Sequence, residues 1–332
     1  MSGHRSNTVL SRRDFVAATA GGACALVTGT SGCLGPSGPQ NGRLEAVWGR
    51  RGRSPGRLNK PRAIAIDKDD LLYIVDFTPR IQVFTGDGKF VRGWQPLVST
   101  NGRPSGLAFD NDGNLLVADT HYFRVLTYTP HGKLLADRTI GGTCGVGDGE
   151  FQFVTDAAQD SQGNYYVSQY GNFDRIQKFS PARKFLLSWG SHGSEPAQFL
   201  RPQKLVVDRT GLVWVTDACN HRVQVFDTAS GQAKLVKTWG EPGTAPGQLR
   251  YPYDILLDNA ALAGQADGCV YLCEFGNHRV QKFTTAGEFL GLWGENGRGE
   301  GQLSQPWGIA RDSQDRMFVL DSYNHRVQRF RL

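Results

Sequence analysis

The pentapeptide Asn-His-Arg-Val-Gln stands three times in the chain, at Asn220–Gln224, Asn277–Gln281 and Asn324–Gln328. Histidines at three equivalent places, His221, His278 and His325, suggest a shared metal, which needs every ligating nitrogen within about 2.0–2.1 Å of the ion. The neighbouring arginines suggest a different chemistry, a charge-assisted pair with a carboxylate. An acid precedes the arginine by five residues at Asp119/Arg124, Asp217/Arg222, Glu274/Arg279 and Asp321/Arg326, and by four at Asp76/Arg80. That spacing fits a fork-like pair across a tight turn. One copy breaks the rule, with Gln169 in the acid's place and Asp174 directly before Arg175.

The elements that carry the pentapeptide decide between these chemistries. Its arginine recurs at Arg80, Arg124, Arg175, Arg222, Arg279 and Arg326, at intervals of 44–57 residues. A proline opens each unit at Pro61, Pro104, Pro202, Pro252 and Pro306, with Val154 in the third copy. Six residues later comes Asp67, Asp110, Asp160, Asp208, Asp258 or Asp312. Each unit holds four short apolar strands divided by polar and glycine turns, as in Ala63–Asp67, Leu212–Asp217, Arg222–Phe226 and Phe185–Gly190. The widest interval holds an Ala/Gly-rich insertion, Asn259–Gly268.

Four antiparallel strands per unit predict a propeller blade, and six units predict an all-β, six-bladed β-propeller. The chain stops after the third strand of the sixth unit. Leu44–Gly49, with the Trp-Gly ending of the other fourth strands, supplies the missing one and closes the ring. Pentapeptides on three blades of such a ring are more than about 10 Å apart, because each lies two strand spacings of about 4.8 Å from the inner strand. The shared-metal reading fails on that geometry, and no metal or cofactor is expected.

The repeated pattern P-x-x-I-x-x-D, VYVAD, N-x-R-V-Q-x-F, WG and G-Q-F resembles the NHL repeat over about 290 residues. The resemblance implies the propeller fold and leaves function open, because this ring serves many roles. Related peptidyl-amidoglycolate lyases carry metal-binding histidines near the starts of the inner strands. The corresponding positions here hold Arg62, Ser105, Thr155, Gln203, Tyr253 and Trp307, then Ala63, Gly106, Asp156, Lys204, Asp254 and Gly308. None is histidine. A lactonase-like propeller needs several carboxylates around one cation, and Asp156 and Asp254 are only two.

Repeated residues serve the blade, so function is expected where the repeat breaks. Arg62, Asp156, Gln203, Lys204, Tyr253, Asp254 and Trp307 therefore form the candidate binding site at the channel mouth, suited to a small polar ligand or a peptide end. A second candidate surface is the loop Arg50–Arg62, where Arg50, Arg51, Arg53, Arg57 and Lys60 join Arg62 without an acid.

The leader bears on the partner. Ser11–Val16 places Arg12 and Arg13 before a short, mild Ala/Gly-rich run, and resembles a twin-arginine export signal. It ends at Thr30-Ser31-Gly32-Cys33, similar to a lipoprotein processing box with Cys33 as the lipid-bearing residue. The expected organisation is a signal at 1–32, a linker at 33–43 and the propeller at 44–332. The whole chain carries a net charge of +6. Cytoplasmic relatives use a basic face of this fold to bind RNA, but export argues against that here, and no nucleic acid is expected. The expectation is a monomeric periplasmic or cell-surface binding or scaffold module, membrane-anchored, for a protein, peptide or anionic envelope component. The alternative is an exported lyase or hydrolase at the channel mouth. Cys144, Cys219, Cys269 and Cys273 are expected to be mostly buried small residues, with Cys269 and Cys273 too far apart along a strand for a disulfide.

Overall fold

A computed structural model describes residues 42–97 and 102–332. The expectations for the leader, Cys33 and the linker up to residue 41 lie outside the described residues. Six four-stranded antiparallel sheets form the blades. In blade four the strands are Pro202–Val207, Val213–Asp217, Arg222–Asp227 and Lys234–Trp239. Blade six takes its fourth strand, Arg43–Trp48, from the other end of the chain, paired so that Arg43 faces Arg331 and Trp48 faces Val327. The expected ring closure is therefore present. Glu45 reinforces it through Arg331 at 2.7 Å and Arg329 at 3.3 Å.

The inner strands of each blade are largely buried on both faces because blades pack on both sides. Blade four's third strand shows this with Val223, Val225 and Phe226 all buried. The aspartate six residues after each unit opening shapes the turn between strands one and two. Asp208 accepts the amides of Thr210 at 2.9 Å and Leu212 at 3.1 Å. The Ala/Gly-rich insertion forms a short helix, Asn259–Leu262, capped by the Asp258 carboxylate.

Loops between blades carry a buried anchor, and Leu58, Phe151, Phe199, Leu249 and Leu303 are each fully inaccessible. Burying such a side chain stabilises the fold by about 1.5–3 kcal/mol. The pentapeptide grips these loops. The Gln224 amide donates to the Gln198 carbonyl at 2.8 Å and accepts from the Ala197 amide at 3.0 Å. Arg222 donates through Nε to Asp217 at 2.8 Å and through Nη to the Ser194, Glu195 and Gln198 carbonyls. The expected fork on the carboxylate is thus divided, one arm for the acid and the rest for the loop. Asn220 spans the same gap, from Asp217 to the Gly193 carbonyl.

The third strand begins at the arginine as expected, with Asn and His in the turn before it. One expectation is corrected. Among the four described cysteines only Cys273 is buried, while Cys144 is exposed and Cys219 and Cys269 are intermediate; all four are free thiols. Cys144 falls in an exposed loop between blades, outside the blade strands.

Candidate functional site

The histidines act between blades. His221 accepts at Nδ1 from the Tyr251 amide at 3.1 Å, His278 from Gln305 at 2.9 Å and His325 from Lys60 at 3.0 Å. Each donor amide belongs to a left-handed residue just before the proline of the next blade, at φ 46–51°. Asp174 does the same in blade three, accepting the Arg201 amide at 3.0 Å. The irregular third copy has therefore exchanged its histidine for a carboxylate. Phe123 and Pro79 occupy this position in blades two and one, and neither side chain can accept such a bond.

All seven candidate mouth residues line one cavity, together with Ala63, Ile64, Ser105 and Gly106. Local backbone irregularity puts them there. The first strands of blades three, four and five carry register shifts at Val154/Asp156, Pro202/Leu205 and Pro252/Asp254. A bulge interrupts the alternation of side chains. Adjacent residues such as Gln203 with Lys204, and Tyr253 with Asp254, consequently reach the same space.

Charged groups close the channel floor. Lys204 reaches Asp156 of neighbouring blade three at 3.1 Å and, past that blade, the Leu107 carbonyl of blade two at 3.0 Å. Asp156 also accepts the Leu205 amide at 3.2 Å, and Asp254 accepts those of Ile255 at 2.8 Å and Ile309 at 3.0 Å. Glycine permits the approach of Asp156: a Cβ on Gly106 would stand 2.4 Å from its Oδ1. The remaining cavity is about 10 Å³, room for about one water molecule.

Burial raises the pKa of Asp156, opposed by Lys204. Burial, with Asp156 nearby, pushes Asp254 up to about 7 despite Lys204 and two amides. Burial disfavours the Lys204 charge, but the two carboxylates outweigh it and hold its pKa up. One lysine serves two carboxylates, so the second carries a proton near neutral pH.

Above this floor, aromatic rings alternate with cations around the mouth. Arg201 lies 4.9 Å from the Tyr170 ring and 5.9 Å from Tyr253. Tyr253 meets Phe275 at 4.6 Å and Trp307 at 5.0 Å. Arg62 then lies 4.9 Å from Trp307 and 5.3 Å from Phe77, and Arg103 lies 4.7 Å from Phe77. Lys60 is placed over Tyr323 at 4.1 Å, and His121 and Phe153 continue the arc to Tyr170. Arg62, Tyr253 and both aspartates are buried within this wall.

Sequence reasoning missed Phe77, Arg103, Tyr170, Arg201 and Phe275. The signal was present one place after the strand-two acid, where blades one to six read Phe77, Thr120, Tyr170, Ala218, Phe275 and Ser322. Aromatics thus alternate with small residues around the ring. Of the basic loop, Lys60 and Arg62 join the mouth, whereas Arg50, Arg51 and Arg53 are exposed and Arg57 is half-buried. The loop is not a free coil: it folds on itself through Gly52–Leu58 and Leu58–Arg50 backbone bonds.

This geometry defines a propeller with a plugged channel and a cationic, aromatic mouth. The NHL repeat family model matches residues 101–128, 199–226 and 303–330, in blades two, four and six, so the chain carries NHL repeats on its six-bladed propeller. It is 31% identical over 186 residues to NHL repeat-containing protein 3 of Mus musculus, covering 51% of this chain and 52% of that protein. It is 35% identical over 133 residues to peptidylglycine alpha-amidating monooxygenase of Rattus norvegicus, covering 38% of this chain and 14% of the relative. The chain thus spans about half of the first relative and a small part of the second. Among solved structures, an auxiliary nutrient binding protein from Bacteroides ovatus superposes with a TM-score of 0.66 at 17% identity, over 88% of this chain and 77% of that one. A gluconolactonase from Xanthomonas campestris does so at 0.59 and 12% identity, over 90% and 99%. Both likenesses concern the fold.

Proposed function

We propose that this protein is a binding module that receives an anionic group of a peptide or envelope component at the channel mouth, with the basic loop extending the contact. The observation that carries this reading is the wall of alternating rings and cations: Tyr170, Arg201, Tyr253, Trp307, Arg62, Phe77 and Arg103. Cation–π contacts spread the arginines over flat faces, which suits a carboxylate-bearing segment with apolar or planar neighbours. The resemblance of the leader to an export signal, and of Cys33 to a lipidated cysteine, favours a module held at the cell envelope.

A second reading, a lyase or hydrolase, draws on Asp254, which titrates near neutral pH as an acid–base group can. The binding reading is preferred because both floor carboxylates are already occupied by Lys204 and backbone amides.

Fluorescence titration of the purified protein with acidic peptides tests the proposal through Trp307. Saturable quenching is expected, lost in Trp307→Ala and weakened in Arg51→Glu/Arg57→Glu at low salt. Binding unchanged in all of these variants overturns it. A stoichiometric Zn²⁺ or Ca²⁺ that disappears in Asp156→Asn/Asp254→Asn would favour the enzyme.

A further inference from the structure

The junction between blades one and two departs from the other five. Pro79 stands where blades four to six place the inter-blade histidine, and the turn from Asp76 to Arg80 is one residue shorter than its counterparts. The loop-gripping glutamine is replaced in blade two by Leu126, and the sequence entering blade two has no counterpart of the anchors Leu58, Phe151, Phe199, Leu249 and Leu303. Beside this irregular turn lies a cleft of about 420 Å³, within the range of ligand pockets.

Its walls are Arg53 and Asn59 from the basic loop, Phe77 to Arg80 from the turn, and Gln95 and Arg103 from the segment leading into blade two. No acid lines it. Asp76, the acid at the base of the turn, is already committed to the Thr78 amide at 2.8 Å, the Asn59 amide at 2.9 Å and Arg80 at 3.0 Å. Arg80 is committed in turn to Asp76 and the loop carbonyls. Among the described residues, neither Arg53 nor Arg103 enters an ion pair with a side-chain carboxylate. The Arg103 guanidinium lies 4.7 Å from the Phe77 ring, and Lys60 is 5.7 Å from the same ring. Cations gathered without a carboxylate repel one another, and an incoming oxyanion relieves that repulsion.

We propose that this cleft binds a small organic anion, with a phosphate or carboxylate head at Arg53 and Arg103 and an apolar body against Phe77 and Pro79. Asn59 and Thr78 add polar contacts at the head. The cleft adjoins the channel mouth and shares Phe77 and Arg103 with its wall, but Arg53, Asn59, Thr78 and Gln95 do not line the channel cavity.

Calorimetric titration of the whole protein at low ionic strength tests the assignment, with phenyl phosphate, benzoate and inorganic phosphate as probes. Phenyl phosphate or benzoate should bind saturably at one per chain, and inorganic phosphate several-fold more weakly for lack of a body. Arg53→Gln and Arg103→Gln should each weaken binding about tenfold, the loss of one charge-assisted contact. Gln95→Trp, at an exposed position, should block the cleft while Trp307 quenching by acidic peptide persists. Trp307→Ala should do the reverse, so the two sites fail separately. Vesicles of phosphatidylglycerol distinguish the source: flotation that requires Arg53 and Arg103 identifies a lipid headgroup, and organic-anion binding with flotation independent of them identifies a free small molecule. Absence of saturable binding by every probe, or full affinity in both arginine variants, overturns the proposal.

Discussion

His325 accepts the backbone amide of Lys60 across the junction between blades six and one, at 3.0 Å. The bond requires an unprotonated Nδ1. Burial first, and the charges of Arg51 and Lys60 second, lower the His325 pKa. Burial and Arg250 do the same for His221 and His278. A histidine depressed in the folded state contributes its stabilisation above about 6.5, and loses it as pH falls from there through the folded value. His325→Ala should therefore cost about 1 kcal/mol at pH 8, read as a Tm lowered by about 2 °C. The difference should shrink at pH 5. An equal penalty at both pH values would contradict the neutral-acceptor role.

Asp217 accepts from the Leu200 amide, Asn220, Arg222 and Gln224, at 2.7–3.2 Å. Asp217→Ala strands several buried donors together, and should lower stability by about 3–5 kcal/mol in chemical denaturation. The exposed pair Lys68–Asp69 offers the contrast. Asp69→Ala should change stability by under about 1 kcal/mol.

The channel floor predicts an opposite pH dependence. Asp254, raised by burial to about 7, holds its proton in the folded protein where the unfolded chain has released it. Its contribution to stability is present below about 4 and is lost as pH rises towards 7. Asp254→Asn removes that slope and leaves Lys204 paired one-to-one with Asp156. The Tm of the variant relative to the parent should rise between pH 5 and pH 8, and a parallel pair of curves would refute this.

Gly106 faces Asp156 so closely that an added Cβ would also stand 2.5 Å from the Thr155 carbonyl. Gly106→Ala should destabilise by about 1–3 kcal/mol through overpacking. Gly113→Ala, where a Cβ meets nothing within 4 Å, separates this clash from backbone strain, since its φ of +77° is left-handed and Gly106 has no such constraint.

The fold was legible because its signals repeat. Pro61 to Asp67, the turn from Asp217 to Arg222 and the Trp-Gly endings recur at blade spacing, and Leu44–Gly49 declared the ring closure. The mouth was half legible. Comparing residues after the proline found Arg62, Lys204, Tyr253, Asp254 and Trp307, but Arg201 and Arg103 precede the proline and Phe77 and Phe275 follow the acid. The histidines' partners were invisible, because Lys60 and His325 are joined only by the curvature of the whole ring. That Asp174 stands in for a histidine was hidden for the same reason, since its partner amide belongs to the next blade.

The pairing of Arg43 with Arg331 has a kinetic consequence. Local hairpins can form as soon as their own strands exist, but this contact joins residues separated by nearly the entire chain, and such contacts form slowly. Until it forms, the first strand lacks its neighbour and the third strand of blade six, Arg326–Arg331, presents an unpaired edge open to association with other chains. The slowest step of folding and the period of greatest aggregation risk should therefore coincide at this one junction.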